Sequence, residues 1–151
     1  MKRTNVLDVL ITVKSVGGLA ASDDKIEIIS SGSMDVEGDL VTLTYQESAD
    51  EDTVFTTTLT VDGNDRAQLT RSGPFAGTRM TIEKGRRHLC HYQTPYGSMM
   101  IGVFGEKIRS RISENDGGQI DLCYTLDVNS EFHGRNEVSI SVKPRPGAVL
   151  S

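Results

Sequence analysis

Apolar and polar residues alternate along most of this chain with a period of two. Leu7, Val9, Ile11 and Val13 fall on one side of an extended segment, with Asp8, Thr12 and Lys14 on the other. That period marks a half-buried β-strand rather than a helix. The pattern returns at Ile26 and Ile28, at Val41, Leu43 and Tyr45, and at Phe55, Thr57, Leu59 and Val61. The last set is interleaved with Thr56, Thr58 and Thr60, and such a threonine-rich run suits a pleated sheet and would make a poor helix. Ala67, Leu69 and Arg71 share a parity, and Met80 with Ile82, and Ile108 with Ser110 and Ile112, continue the series. The cleanest alternation is Ile120, Leu122, Tyr124, Leu126 and Val128 against Gln119, Asp121, Cys123, Thr125 and Asp127. Val138, Ile140 and Val142 form the last inward set.

Turn signals separate these segments: Gly17-Gly18, Glu37-Gly38-Asp39, Asp62-Gly63-Asn64-Asp65, Glu83-Lys84-Gly85 and Glu114-Asn115-Asp116-Gly117-Gly118. Gly32 and Gly73-Pro74 read as strand ends, and Phe132-His133-Gly134 as part of a polar loop. The spacing predicts about ten or eleven short strands and no helix, which fits a sandwich or a barrel. Short connections favour hairpins between sequential strands, and closure removes exposed edges. The expected fold is therefore all-β: a single antiparallel, mostly up-and-down β-barrel of about 8–11 strands over residues 1–151, with 144–151 as a frayed tail.

Length agrees with one domain, large enough to fold without a disulfide or a metal. Met1-Lys2-Arg3 leads straight into alternation, so no signal peptide is expected, and no apolar run is long enough for a membrane helix. Two cysteines, Cys90 and Cys123, fit reduced thiols in a cytoplasmic protein. The net charge of −5 argues against general nucleic-acid binding. Charge is uneven, however. Residues 1–65 carry 4 basic and 13 acidic groups, and residues 66–111 carry 9 basic and 2 acidic. The two stretches either neutralise each other across neighbouring strands or leave a basic face for an acidic partner.

The hairpin Arg87–Val103 holds His88, Cys90, His91 and Tyr92. Pro95 excludes a type I′ or II′ turn centred on Pro95-Tyr96. The turn chemistry favours a three-residue loop with Gly97 as a left-handed bulge and Thr94 opposite Ser98. Leu89, His91 and Gln93 would then face inward with Met99, Ile101 and Val103. A four-residue loop flips the parity and sends His88, Cys90 and Tyr92 inward.

Four stretches carry a resemblance: Ile11-Thr12-Val13-Lys14-Ser15, Leu69-Thr70-Arg71-Ser72-Gly73, the hairpin tip from Tyr92 to Gly97, and Gly118-Gln119-Ile120-Asp121-Leu122-Cys123-Tyr124. Together they resemble the YwiB-like family of uncharacterised bacterial proteins, over nearly the whole chain. The resemblance implies a calycin-type (lipocalin-like) barrel in a cytoplasmic protein. It implies no established activity and carries over no catalytic residue. Gly102 and Gly105 depart from the expected strand, where glycine weakens pairing.

Candidate chemistry centres on Arg71. Its parity points it into the barrel, where an unpaired charge is very costly. It either grips a ligand carboxylate or phosphate, or closes the barrel end against backbone carbonyls or an aromatic ring. With Tyr124, Met99 and the hairpin residues His91 and Tyr92 it makes the candidate ligand-binding set. An eight-stranded barrel is about the size at which side chains fill the interior or leave room for one small ligand. His88 and Cys90, with Cys123 as a third ligand, have no zinc-site spacing. Cys90 and His91 are adjacent in a strand and cannot pair as nucleophile and base. No nucleophile elbow, P-loop, metalloprotease or dinucleotide motif is present.

No catalytic residue, metal or cofactor is therefore assigned. The favoured function is a non-catalytic barrel binding a small anionic or amphipathic molecule. The alternatives are an interaction protein using a basic outer face of Arg79, Arg86, Arg87, Arg109 and Arg111, and a hydrolase-like enzyme using the His/Cys hairpin. A membrane partner is not expected, and a homodimer stays open.

Overall fold

A computed structural model describes residues 6–17, 25–48, 54–73, 78–94 and 97–145. Among them are ten strands: β1 (Val6–Val16), β2 (Lys25–Glu37), β3 (Leu40–Ser48), β4 (Val54–Asp62), β5 (Arg66–Ser72), β6 (Thr78–Glu83), β7 (Arg87–Thr94), β8 (Gly97–Ser113), β9 (Gly117–Val128) and β10 (Glu131–Pro144). Every ladder is antiparallel, and the order is β6-β5-β4-β3-β2-β1-β10-β9-β8-β7. Each strand thus pairs with its sequence neighbours, and β10 returns to β1. The exception is β6 with β7, which face each other at a seam. The result is a nearly closed up-and-down barrel. No helix among the described residues is long and apolar enough to cross a membrane.

The alternation predicts the lining well. Val9, Ile11, Leu43, Val61, Val103 and Ile120 are fully buried, and one apolar cluster takes residues from all strands but β7. The predicted strand ends are less accurate. Gly32 lies inside β2, where a Cβ would press on Ile11 Cδ1 at 2.8 Å and on the Thr44 carbonyl. It is a crossing point, not a terminator. Phe132 and Gly134 lie in β10 at a bulge. The turn ahead of them is Asn129-Ser130, with φ of 52° and 72°, the two positive values of a tight type I′ hairpin. Pro144 still pairs with Val9 and Arg145 N–H donates to Asp8 O at 3.1 Å, so the expected frayed tail starts too early; residues 146–151 lie outside the described residues.

The barrel ends differ. At the lower end the turns are tied to one another. Gly63 N–H donates to Asp39 O at 3.0 Å, Ser110 N–H to Asn64 Oδ1 at 2.9 Å, and Lys84 N–H to Asp65 O at 2.9 Å. At the upper end β1, β3, β5, β7 and β9 finish, and this end carries the polar interior described below. The connections 18–24, 49–53, 74–77 and 95–96 there lie outside the described residues.

Gly102 and Gly105 have separate structural reasons. Gly105 sits at the bulge of β8 against the turn after β6, where its own N–H and C=O bond Arg86 O and Gly85 N–H at 3.3 and 2.9 Å. At Gly102 a Cβ would collide with the Asp127 carboxylate and would lie 2.5 Å from Arg87 Nε. The missing side chain lets Arg87 and Asp127 lie across β8 as a bidentate pair, with N···O distances of 2.8 and 2.6 Å. The Arg87 hydrogen bond, the main cause, holds the Asp127 carboxyl below the usual aspartate range. A lowered folded-state pKa contributes stability above the ordinary aspartate value of about 3.9, and that contribution is lost as pH falls through the lowered value. Asp127→Asn should therefore lower the urea midpoint at pH 7, and the gap to wild type should close as the pH is taken below about 4. A gap that stays constant down to acid would show that the pair does not couple to folding.

Candidate functional site

The hairpin register decides what the site contains. Thr94 pairs with Gly97, Tyr92 with Met99, Cys90 with Ile101 and His88 with Val103. This corrects the expected three-residue bulge, which placed Thr94 opposite Ser98. The parity is the flipped one. Cys90 points inward and is 5% exposed, whereas His91 and Leu89 lie on the outer surface. His91 therefore leaves the candidate set. Gly97 does adopt the expected positive φ, at 129°, but as a strand residue. Pro95 and Tyr96, which would explain the shorter connection, lie outside the described residues, as does the Tyr92 side chain.

A cavity of about 320 Å³ opens on the inner face of the upper barrel. Leu69 from β5, Met80 from β6, Ile101 from β8 and Leu126 from β9 give it apolar walls. Arg71, Tyr124 and Asn136 give it polar ones, and Cys90 and Thr78 border the seam. Two of the expected residues, Arg71 and Tyr124, thus meet here. Met99 is partly buried against the core but does not line the cavity.

Arg71 is placed by the strand register. Ala67, Leu69 and Arg71 face Val61, Leu59 and Thr57 across β4, so the inward parity holds to the last turn of β5. Its guanidinium lies 4.3 Å from the centroid of the Phe55 ring. A Cβ at Gly73 would run into that ring, so the glycine clears the stacking site. Arg71 Nε is 3.5 Å from Glu47 Oε2, close enough for attraction, yet Nε is buried without a hydrogen-bond partner. Glu47 itself accepts the Thr57 hydroxyl at 2.8 Å, and Thr57 is 2% exposed. The Arg71 side chain remains 40% exposed. Arginine stacked on an aromatic at the barrel end is one of its two expected roles; the exposed remainder of the guanidinium keeps the other available.

Two tyrosines complete the polar end. Burial, with the Glu47 charge second, pushes the Tyr45 hydroxyl far above its ordinary pKa. Burial also raises Tyr124, opposed by a hydrogen bond from the Asn136 amide. Both are neutral donors at physiological pH.

The cysteine and histidine residues do not assemble. His88 Nε2 lies 2.8 Å from Glu83 Oε1 across the seam. The Cys90 thiol donates to the Arg79 carbonyl at 2.9 Å, and burial pushes its pKa up, away from thiolate character. Cys123 faces the outside of β9, its thiol 3.3 Å from Glu106 Oε1, which Arg135 also holds at 2.8 Å. Cys90 and Cys123 are both free thiols on opposite sides of the barrel wall. No cluster of three or more ligating side chains forms among the described residues.

The basic stretch is neutralised partly by its own neighbours and partly by the acidic N-terminal stretch, where Asp62 lies opposite Arg66 in the β4–β5 ladder. Arg87 pairs with Asp127, Arg86 lies 3.6 Å from Glu83, and Arg109 is opposite Asp121 in the β8–β9 ladder. Arg71 with Glu47 also joins the two stretches.

An up-and-down barrel with a mostly apolar interior cavity and a few polar groups at its wall defines a class of fold rather than an activity. The chain belongs to the family described as a domain of unknown function (DUF1934), whose model matches residues 11–140. Its structure is similar to the crystal structure of the ywiB protein from Bacillus subtilis, with a TM-score of 0.78, 21% sequence identity and 94% of each chain covered. At that identity the likeness shows the shared fold. No curated protein matches the chain.

Proposed function

We propose that this protein is a cytoplasmic, calycin-type binding barrel that holds a small anionic or amphipathic molecule in its upper cavity. The observation that carries the reading is Arg71. A charged side chain is brought to the wall of a mostly apolar cavity, stacked on Phe55, and left 40% exposed with an unbonded Nε. Ligand pockets typically combine apolar walls with a few placed polar groups. Glu47 lowers the net positive charge there, so a monoanion suits the site better than a polyphosphate. The two free, buried thiols support a reducing compartment.

Anilinonaphthalene sulfonate, an amphipathic anion, should bind with enhanced fluorescence and be displaced by decanoate. Arg71→Met, which keeps the stem, should weaken that binding about tenfold, the scale of one charge-assisted contact. Binding of the uncharged N-phenylnaphthylamine should be unchanged. Absence of saturable binding of both probes by the folded protein would refute the reading.

A further inference from the structure

We infer that the cavity selects one ligand class: a small organic acid that also carries a neutral O–H or N–H donor, with its acid group on Arg71 and its donor on Asn136. This rests on the binding reading above and deepens it. The observation behind it is a buried amide with one end unpaired. Asn136 lies on β10 opposite Tyr124 and is 9% exposed. The amide engages the Tyr124 hydroxyl, while Oδ1 is buried with no hydrogen-bond partner.

An orphaned acceptor is destabilising, and natural interiors keep few of them. A plain structural position on this strand would be apolar, as Val138, Ile140 and Val142 are in the same inward series. Asn136 instead breaks that series where it borders the cavity. The backbone beside it is also kept bare: Gly17, with φ of 102°, passes so close that a Cβ would lie 2.8 Å from Oδ1.

Arg71 and Asn136 make opposite demands. The guanidinium only donates, and the free amide oxygen only accepts. One ligand that satisfies both has an acid and a donor. A neutral donor fits better than an ammonium, because the acceptor it meets, Asn136 Oδ1, is an uncharged amide oxygen that cannot offset the cost of burying a charge. The cavity volume of about 320 Å³ corresponds to roughly ten water molecules. That lets the cavity enclose on the order of ten to fifteen heavy atoms, and a larger probe extends out through its open mouth. Leu69, Met80, Ile101 and Leu126 call for an apolar body between the two polar ends.

The test uses para-hydroxyphenylpropionate, phenylpropionate and para-hydroxyphenylpropionamide, with affinities from calorimetry or from amide shifts in NMR titrations. The wild type should bind the hydroxy acid about tenfold more tightly than either analogue, since a site built around a polar group discriminates against a ligand lacking it. Asn136→Leu should lose the preference for the hydroxyl and keep the preference for acid over amide. Arg71→Met should do the reverse. Melting curves establish that each variant is folded, and Asn136→Ala replaces Asn136→Leu if the larger side chain prevents folding. Equal affinity for the hydroxy acid and the plain acid overturns this inference and leaves the binding reading standing. No binding of any of the three, nor of anilinonaphthalene sulfonate, overturns both.

Discussion

Gly105→Val should cost about 3–4 kcal/mol, among the largest single-residue effects expected in this protein. The reason is that β6 and β7 lack a continuous ladder. The barrel closes through β1 with β10, and the remaining gap is bridged at its lower end by the turn after β6 docking on β8. Gly105 is the docking point. Its carbonyl and amide take the Gly85 and Arg86 partners, and Lys84 forms a parallel bridge with it. A Cβ there meets the Glu83 carbonyl carbon at 2.6 Å and the carbonyl oxygen closer still. Those atoms are backbone, so no rotamer change relieves the clash; the turn must move and its hydrogen bonds go with it. For a domain of this size the loss corresponds to a fall in Tm of roughly 10 °C. Phe104→Ala, next in the strand but on an exposed residue, should shift Tm far less. A Gly105→Val protein that melts with the wild type would show that closure does not depend on this contact.

Most of the fold could be read because period-two alternation is a direct record of which face is buried. It placed Arg71 inward from Ala67 and Leu69, and the strand register bears that out. Failures came where glycine has more than one use. Gly32 reads as a terminator but is a close crossing of β1, β2 and β3, a tertiary fact with no local signal. Gly97 and Pro95 suggest a bulged loop, yet the ladder runs to Thr94 opposite Gly97, which sends Cys90 inward and Leu89 and His91 outward. A slip of one residue is enough to exchange His91 for Cys90 at the cavity. Asn136 shares the parity of Val138 and Ile140, but a neutral amide in an apolar series carries no charge to mark it as part of a site. Glu47 opens the acidic run 47–52, which reads as a loop, yet its spacing from Val41, Leu43 and Tyr45 places it on the inner face, where it meets Thr57 and Arg71.

The expectation with the largest effect on binding concerns the cavity's volume rather than its charge. A Leu69→Trp/Met80→Trp double variant should reduce anilinonaphthalene sulfonate affinity at least about a hundredfold, because a well-packed interior leaves no room for a ring system. Leu69 and Met80 are paired across β5 and β6, both only partly buried, and both line the cavity. Two indoles from adjacent strands would project into the same space. They fill a void rather than press on a close-packed core, so stability should change by no more than about 1 kcal/mol, and extra buried area can raise it. This separates the interior from the outer face. Leu89 and Phe132, 59% and 75% exposed, are among the surface residues on which an apolar probe would otherwise settle. If the probe binds there, the double variant binds it as tightly as wild type, while Leu89→Ser/Phe132→Ser does not. If it binds inside, the two results exchange. Fluorescence titration of both variants decides between them, and only the interior result is compatible with Arg71 as the residue that reads the ligand's charge.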